Sequence, residues 1–414
     1  MIKVLQDASG FFDTQRSGFK RPGSEFSLIS VVPVDIFRVI FDLLFHDAPI
    51  WKRPSIAITL SQVSRYFKDA ARNMPILWTV IDTYQCKTPE LLQMFLQNSQ
   101  ALPLDIRFTQ WNDRFSSDPM GLQLIKETPR WRRLVLTSEG HIAENLRFLQ
   151  QVFAPLLKNY DIYLDPTSPP LDEVSRPGMS RFDDQELVGF YGLLNSLTLL
   201  TYLSVEGGWE YPDAAHFVLP CLEVLHVKLE SRSYDDQPLS FPRFWYSGTT
   251  APRLKTLHLE HCRDVDIDPS NIHFHGDQTV LFPALTHLIV EAGPPSAGQV
   301  LSRARMKLLS KLFPHITHLV LIHRHDTALD MMTHTLTQRW TRDLCVTLWG
   351  ELDDVGAVLG MLSARREKGC PIARLCVSGT TRLEVLESLR AEGQVEVKVV
   401  DEKPVPNWPG DEYY

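Results

Sequence analysis

PCLEVLHV, at residues 220–227, is the first of four copies of one pattern, followed by PRLKTLHL at 252–259, PALTHLIV at 283–290 and PHITHLVL at 314–321. Each copy reads proline, any residue, apolar, two residues, apolar, any residue, apolar. The four prolines are spaced 32, 31 and 31 residues apart. The alternation that ends each copy predicts a short strand with one buried face.

Stretches of helical periodicity separate the strands, as in 298–313 and 354–369. One strand and one helix cannot bury their apolar faces alone, so a period near 30 residues is typical of a solenoid. Further predicted strands are PRWRRLVL from 129, LLTYLSV from 199, PLDIRF from 103, YDIYL from 160, LCVTLWG from 344, ARLCVSG from 373 and VEVKVV from 395. We therefore predict an α/β solenoid with a mainly parallel sheet over residues 83–400.

Composition narrows the classes of partner and the location. The 414 residues are 44% hydrophobic and 22% charged, which indicates a globular chain with a sizeable core. A net charge of −8 argues against a nucleic-acid or anionic-membrane partner. With no long apolar run, no signal peptide and six cysteines outside any CxxC pair, we expect a cytoplasmic and/or nuclear protein. Residues 1–27 are predicted to be irregular or disordered, and the acidic segment 401–414 to be a disordered tail.

Residues 28–82 follow a helical pattern instead. VVPVDIFRVIFDLLF, at 31–45, has apolar residues at helical spacing after Pro33, which suits a helix start. IAITLSQVSRYFKDAARNM, at 56–74, predicts a second helical segment. MPILWTVID, at 74–82, predicts a third short helix from Pro75. Together these segments predict a short three-helix bundle before the solenoid.

The segments at 31–45, 56–74 and 74–82 together resemble an F-box. VPVDIFRVIF matches the start of that motif, VSRYF its middle and PILW its end, over about 50 residues. Val32 replaces the usual leucine, Phe67 replaces the usual tryptophan, and the loop at 46–55 is longer than usual. The chain resembles the F-box-like variant joined to degenerate leucine-rich repeats that is abundant in mushroom-forming fungi. The repeats lack the regular Asn or Cys that normally follows the strand of a leucine-rich repeat.

The resemblance implies a role without chemistry of its own. F-box proteins dock on a Skp-type adaptor, which links them to a cullin-based ubiquitin ligase, while the repeat domain captures the substrate. The implied adaptor-binding positions are Pro33, Ile36, Ile40, Leu43, Leu60, Val63, Phe67, Leu77 and Trp78. The alternative is that all of them are bundle core. We favour core for Ile40, Val63 and Phe67, and partner contact for Pro33 and Trp78, because a tryptophan is hard to bury in so small a unit.

The repeat strands predict a substrate-binding surface. Residues interleaved with the inward apolar positions face the open side of the sheet, where a solenoid commonly binds proteins. The same composition suits a solvated sheet face. The candidate positions for an unknown target protein are Tyr202, Glu206, His226, Lys228, His258, Glu260, His287, Glu291 and His318.

No catalytic or metal motif stands out. HITHLVLIHRH, at 315–325, and the HxH at 273–275 are rich in histidine, yet His318 and His323 fall on opposite strand faces, and no Cys or carboxylate has a convincing ligand spacing. Cys262 follows His261 directly, so their side chains point apart. We expect no cofactor, no metal and no enzymatic activity. Two hypotheses remain: a substrate-recognition subunit of a ubiquitin ligase, or a scaffold in which the F-box-like bundle only caps the solenoid.

Overall fold

The structure is a computed structural model that describes residues 32–109, 119–139, 153–165, 192–206, 217–228, 249–260, 282–291, 309–310, 312–322, 344–350, 352, 355–391 and 395–401. Its strands are β1 (Val80–Asp82), β2 (Leu104–Phe108), β3 (Trp131–Glu139), β4 (Asn159–Asp165), β5 (Tyr202–Glu206), β6 (Phe217–Val218), β7 (Val224–Lys228), β8 (Thr249–Thr250), β9 (Thr256–Glu260), β10 (His287–Glu291), β11 (His318–Ile322), β12 (Leu344–Trp349), β13 (Ile372–Ser378) and β14 (Glu396–Val400). The predicted repeat strands all appear among them.

Within the described part of the chain, twelve of these strands form one parallel sheet in the order of the sequence. The short strands β6 and β8 pair with each other instead. Parallel neighbours in chain order, with a long connection between each pair, are what a solenoid of strand-and-crossover units requires. The α/β class and the parallel sheet are therefore confirmed.

The four repeat copies stack without any register shift. Equivalent residues on β7, β9, β10 and β11 pair directly, and they bury one ladder of side chains: Leu225, Leu257, Leu288 and Leu319. The turn before each strand adds a backbone bond to the turn before it, from Lys255 N–H to Glu223 at 2.8 Å and from Thr286 N–H to Lys255 at 3.0 Å. Each buried leucine contributes about 1.5–3 kcal/mol, so the period of the sequence directly specifies the stack.

The helices are α1 (Val34–Asp47), α2 (Arg53–Val63), α3 (Arg65–Arg72), α4 (Pro89–Asn98), α5 (Pro119–Ile125), α6 (Val355–Glu367) and α7 (Leu383–Ala391), with 3-10 turns at Ile50–Lys52, Pro75–Trp78 and Thr128–Arg130. The helix predicted over 354–369 is confirmed by α6. The one predicted over 298–313 lies mostly outside the described residues, as do 1–27, 402–414 and the HxH at 273–275. Among the described helices, none is both long and apolar enough to cross a membrane.

The N-terminal helices differ from the sequence prediction in two places. The predicted second helical segment is broken at Ser64, whose Oγ caps α3 by accepting the Phe67 N–H at 3.2 Å. The predicted third helix is a single 3-10 turn that leads straight into β1. Ile81 therefore lies in the sheet and not on a helix. One continuous apolar core includes residues of α1, of the sheet and of α7.

Candidate functional site

Helix α1 carries three stripes along its length. Phe37, Phe41 and Phe45, four residues apart, are buried. Asp35, Arg38 and Asp42 form a polar stripe, in which Arg38 donates to Asp35 at 3.1 Å. The third stripe is apolar and exposed, and we call it the outer stripe: Ile36 (51% exposed), Val39 (58%), Ile40 (39%) and Leu43 (53%).

The phenylalanine stripe fixes α1 against α3. The ring of Phe67 lies 4.7 Å from that of Phe37 and 5.3 Å from that of Phe41, measured between centroids. Tyr66 meets Phe37 edge-on at 5.5 Å, and its hydroxyl donates to the Val32 carbonyl at 2.9 Å. These contacts hold the outer stripe on the opposite side, facing away from α3.

Several of the expected adaptor positions are placed otherwise than predicted. The expectation that Ile40 and Val63 are core is wrong, because larger phenylalanine rings take the inward side of α1 and Val63 ends α2 in solvent. Phe67 is half-buried in the core as expected. Pro33 is exposed at the start of α1. Leu60 and Leu77 are buried.

Trp78 is the largest correction. It is fully buried, its Nε1 donates to the Ala71 carbonyl at 2.9 Å, and its ring meets Phe95 of α4 edge-on at 5.1 Å. The expectation that the unit is too small to bury a tryptophan is wrong, because α4 and the first strands of the sheet complete its surroundings. Trp78 is therefore core in the isolated chain and not an exposed anchor.

The predicted substrate positions all lie on one face of the sheet, opposite the leucine ladder. The expectation that they are solvent-facing is wrong for four of them, since Tyr202, His226, His258 and Glu291 are buried. Tyr202 packs in a second apolar cluster with Ile289, Val320 and Ile322. Adjacent strands place in-register side chains against one another, which covers much of each.

Seven polar residues on this face are grouped here as the strand-face cluster: Ser204, Glu206, His226, Lys228, His258, Glu260 and Glu291. His226 bonds Ser204 Oγ through Nδ1 at 3.1 Å and Glu260 Oε2 through Nε2 at 3.0 Å. The rings of His226 and His258 stack at 4.3 Å and 10°. The cluster thus joins four neighbouring strands through their side chains.

Charged contacts complete the strand-face cluster. Lys228 forms an ion pair with Glu206, and its Nζ lies 3.9 Å from Glu260 Oε1. His258 Nε2 lies 3.7 Å from Glu291 Oε2. The Lys228–Glu206 ion pair is largely shielded from water, where an ion pair is retained only with good geometry.

Burial and neighbouring charges set the protonation of the strand-face cluster. Burial, together with His226, lowers the pKa of His258 to about 4 despite the nearby carboxylates of Glu291 and Glu260. Burial and the charge of Glu291 raise the pKa of Glu260, but its hydrogen bond to His226 and the charges of His226 and Lys228 outweigh them and lower it to about 2. At neutral pH His258 is neutral and Glu260 is ionised.

A second stacked pair lies nearer the start of the strands. His287 and His318 stack at 4.2 Å and 7°, and their Nδ1 atoms lie 2.9 Å from the hydroxyls of Thr286 and Thr317. Burial lowers the pKa of both, aided by His318 for His287 and by Arg374 for His318. This pair bonds neutral hydroxyls, whereas the pair in the strand-face cluster meets carboxylates.

The chain was compared with protein-family models, with curated proteins and with solved structures. No protein-family model matches the chain, and no curated protein matches it. One solved structure to which it is similar is a protein from Bacteroides fragilis, 12% identical over 83% of this chain and 87% of that one, with a TM-score of 0.37.

The sequence pattern does not identify the phenylalanine stripe as the inward face of α1, nor the contacts that join the residues of the strand-face cluster. The phenylalanine stripe was visible as Phe37, Phe41 and Phe45 at a spacing of four, which is as regular as the spacing of the aliphatic stripe. The strand-face cluster was visible as aligned positions in successive repeats, His226 with His258 and Glu260 with Glu291. Its partners are close in space because the period brings together residues about 32 apart.

Proposed function

We propose that the chain is the substrate-recognition subunit of a Skp–cullin–F-box type ubiquitin ligase, which docks on the Skp-type adaptor through α1 and binds a target protein through the repeat sheet. The observation that carries this proposal is the outer stripe of α1. It presents four large aliphatic side chains to solvent, although the same helix already packs on the core through its three buried phenylalanines.

The spacing of the outer stripe suits a helix that binds in a partner groove. Val39, Ile40 and Leu43 follow Ile36 by three, four and seven residues, which places all four on one side of the helix. Burying the exposed part of each would contribute about 1–2 kcal/mol to binding. Pro33 lies next to this stripe at the exposed start of the helix.

The buried residues of the F-box-like segment have a supporting role in this proposal. Phe67 packs on the phenylalanine rings of α1, and Trp78 bonds to Ala71 of α3, so that α1 is held in place before any partner binds. A preorganised helix does not have to be ordered on binding, which favours affinity. The proposed adaptor-binding surface consequently contains fewer residues than the sequence resemblance implies.

A second candidate is a scaffold whose N-terminal helices only cap the solenoid. The contact of Trp78 with Phe95 favours this role, because it covers the end of the repeat core. Capping by the inward faces leaves the outer stripe free, so the two roles are compatible. They differ only in whether the outer stripe has a partner.

Titration with the purified Skp-type adaptor tests the proposal. The double variant Ile36→Ser with Leu43→Ser removes about 2–3 kcal/mol of apolar contact and should weaken binding by roughly 30- to 150-fold. The control, Arg38→Ala with Asp42→Ala, changes the polar stripe of the same helix and should bind like the wild type. Both should keep the wild-type thermal unfolding. Failure of the wild type to bind, or equal binding by the Ile36/Leu43 variant, would leave only the capping role.

A further inference from the structure

We infer that the strand-face cluster is a binding site for a divalent transition-metal ion of the zinc type, held by His226, His258 and Glu260 with Glu291 as the fourth ligand. This inference is independent of adaptor docking. Two imidazoles and carboxylates form a donor set that zinc commonly uses in proteins.

The donor atoms of His226, His258 and Glu260 lie close enough together to share one ion, and Glu291 approaches His258. One ligand atom from each of His226, His258 and Glu260 lies within 4.8 Å of the others. His226 Nε2 and Glu260 Oε2 are 3.0 Å apart, and His258 Nε2 and Glu291 Oε2 are 3.7 Å apart. Ligands about 2.0–2.1 Å from a tetrahedral ion are separated by roughly 3.4 Å, which lies between these two values.

The repeat itself constructs the donor set. His226 and His258 occupy the same position in successive units, and Glu260 and Glu291 occupy the position two residues further along. In-register parallel strands place such residues side by side on one face. Three successive units thus contribute the ligands, which explains why no short motif in the sequence signals the site.

The charges around the site favour a cation. The strand-face cluster contains the carboxylates of Glu206, Glu260 and Glu291, and the ammonium of Lys228 pairs with Glu206 and lies 3.9 Å from Glu260 Oε1. A divalent ion in this partly desolvated site meets strong local attraction, since Coulomb interactions grow as water is excluded. The side chains of His226 and Glu260 keep 10% and 13% of their surface exposed, so the site is not completely closed to solvent.

One rearrangement is required, and it provides a signature. The two imidazole rings are nearly parallel, so their nitrogens cannot both point at one ion until the rings tilt towards each other. The backbone register need not change, since the tilt is a rotation of the side chains. Metal binding should therefore shift the ring-proton resonances of His226 and His258 and leave those of His287 and His318 in place.

Titration of the full chain with Zn²⁺ tests the inference, with Co²⁺ as a spectroscopic probe. We expect one zinc per chain at this site and the visible absorption of four-coordinate Co²⁺. His226→Asn and His258→Asn should each weaken binding by roughly tenfold or more. The matched control, His287→Asn with His318→Asn, removes the other stacked pair and should bind like the wild type.

Two further variants separate ligand loss from misfolding. Glu260→Gln keeps the size of the side chain and a hydrogen-bond acceptor for His226, so it should fold while losing most of its zinc affinity. Lys228→Met removes the competing ammonium and should strengthen zinc binding. Zinc affinity that is absent in the wild type, equal in the histidine variants, or weaker in Lys228→Met would overturn the inference.

Discussion

Replacing Trp78 tests whether the F-box-like segment is packed as described. Trp78→Ala removes a fully buried indole that contacts Phe95 and donates to the Ala71 carbonyl. A truncation of this size in a core costs about 3–5 kcal/mol of unfolding free energy. Trp78→Phe keeps the aromatic contact and loses the hydrogen bond. It should cost about 1–2 kcal/mol, because the Ala71 carbonyl still accepts the Met74 N–H at 3.1 Å.

Urea unfolding followed by circular dichroism measures both losses through the shift of the midpoint. Val39→Ala is the control, since it truncates an exposed residue of the outer stripe and should change the unfolding free energy by no more than about 0.5 kcal/mol. A Trp78→Ala protein that keeps the wild-type midpoint but loses adaptor binding would refute the packing, because Trp78 would then be an exposed anchor.

Two further predictions concern the sheet. The pKa of His258 is about 4 in the folded chain against an ordinary 6.5, so the folded state resists protonation and stability should fall as pH drops from 6.5 towards 4, by on the order of 3 kcal/mol. In His258→Asn, the urea midpoint should depend less on pH across this range. A pH dependence equal to that of the wild type would contradict the burial of that ring. Arg132 donates to both carboxylate oxygens of buried Asp105, at 2.8 and 2.6 Å, so Arg132→Ala should cost about 2 kcal/mol by the same assay. A loss equal to that of Arg133→Ala on the same strand would contradict this pairing.

The repeat strands could be predicted from the sequence because one physical rule fixes them. Alternation identifies the inward residues, and the period places Leu225, Leu257, Leu288 and Leu319 in register. No information from outside the repeat is needed for either step. The choice of face was therefore right along these strands, and only the degree of burial on the opposite face was wrong.

The N-terminal segment was harder because α1 contains two equally regular stripes. Ile36 with Ile40, and Phe37 with Phe41, both repeat at four residues, and helix geometry does not say which turns inward. The phenylalanine stripe faces inward because Phe37 and Phe41 pack against Phe67 of α3. Trp78 was misjudged for a related reason, since its surroundings include α4, which lies beyond the boundary drawn at residue 82.

The strand-face cluster shows a different limit. The row of residues was predictable, but the stack of His226 on His258 and the bond to Glu260 depend on side-chain rotations that a sequence pattern does not specify. Alternation sorts residues between two faces and says nothing of contacts within a face. The chemistry of the cluster became visible only with its distances.

Photo-crosslinking from α1 tests the docking proposal most directly. A photoreactive phenylalanine analogue is placed at Val39 on the outer stripe or at Asp42 on the polar stripe, both of which are exposed on the same helix. With the purified Skp-type adaptor present, we expect a strong crosslink from position 39 and little from position 42. No crosslink from position 39, or equal crosslinks from both positions, would contradict docking through the outer stripe.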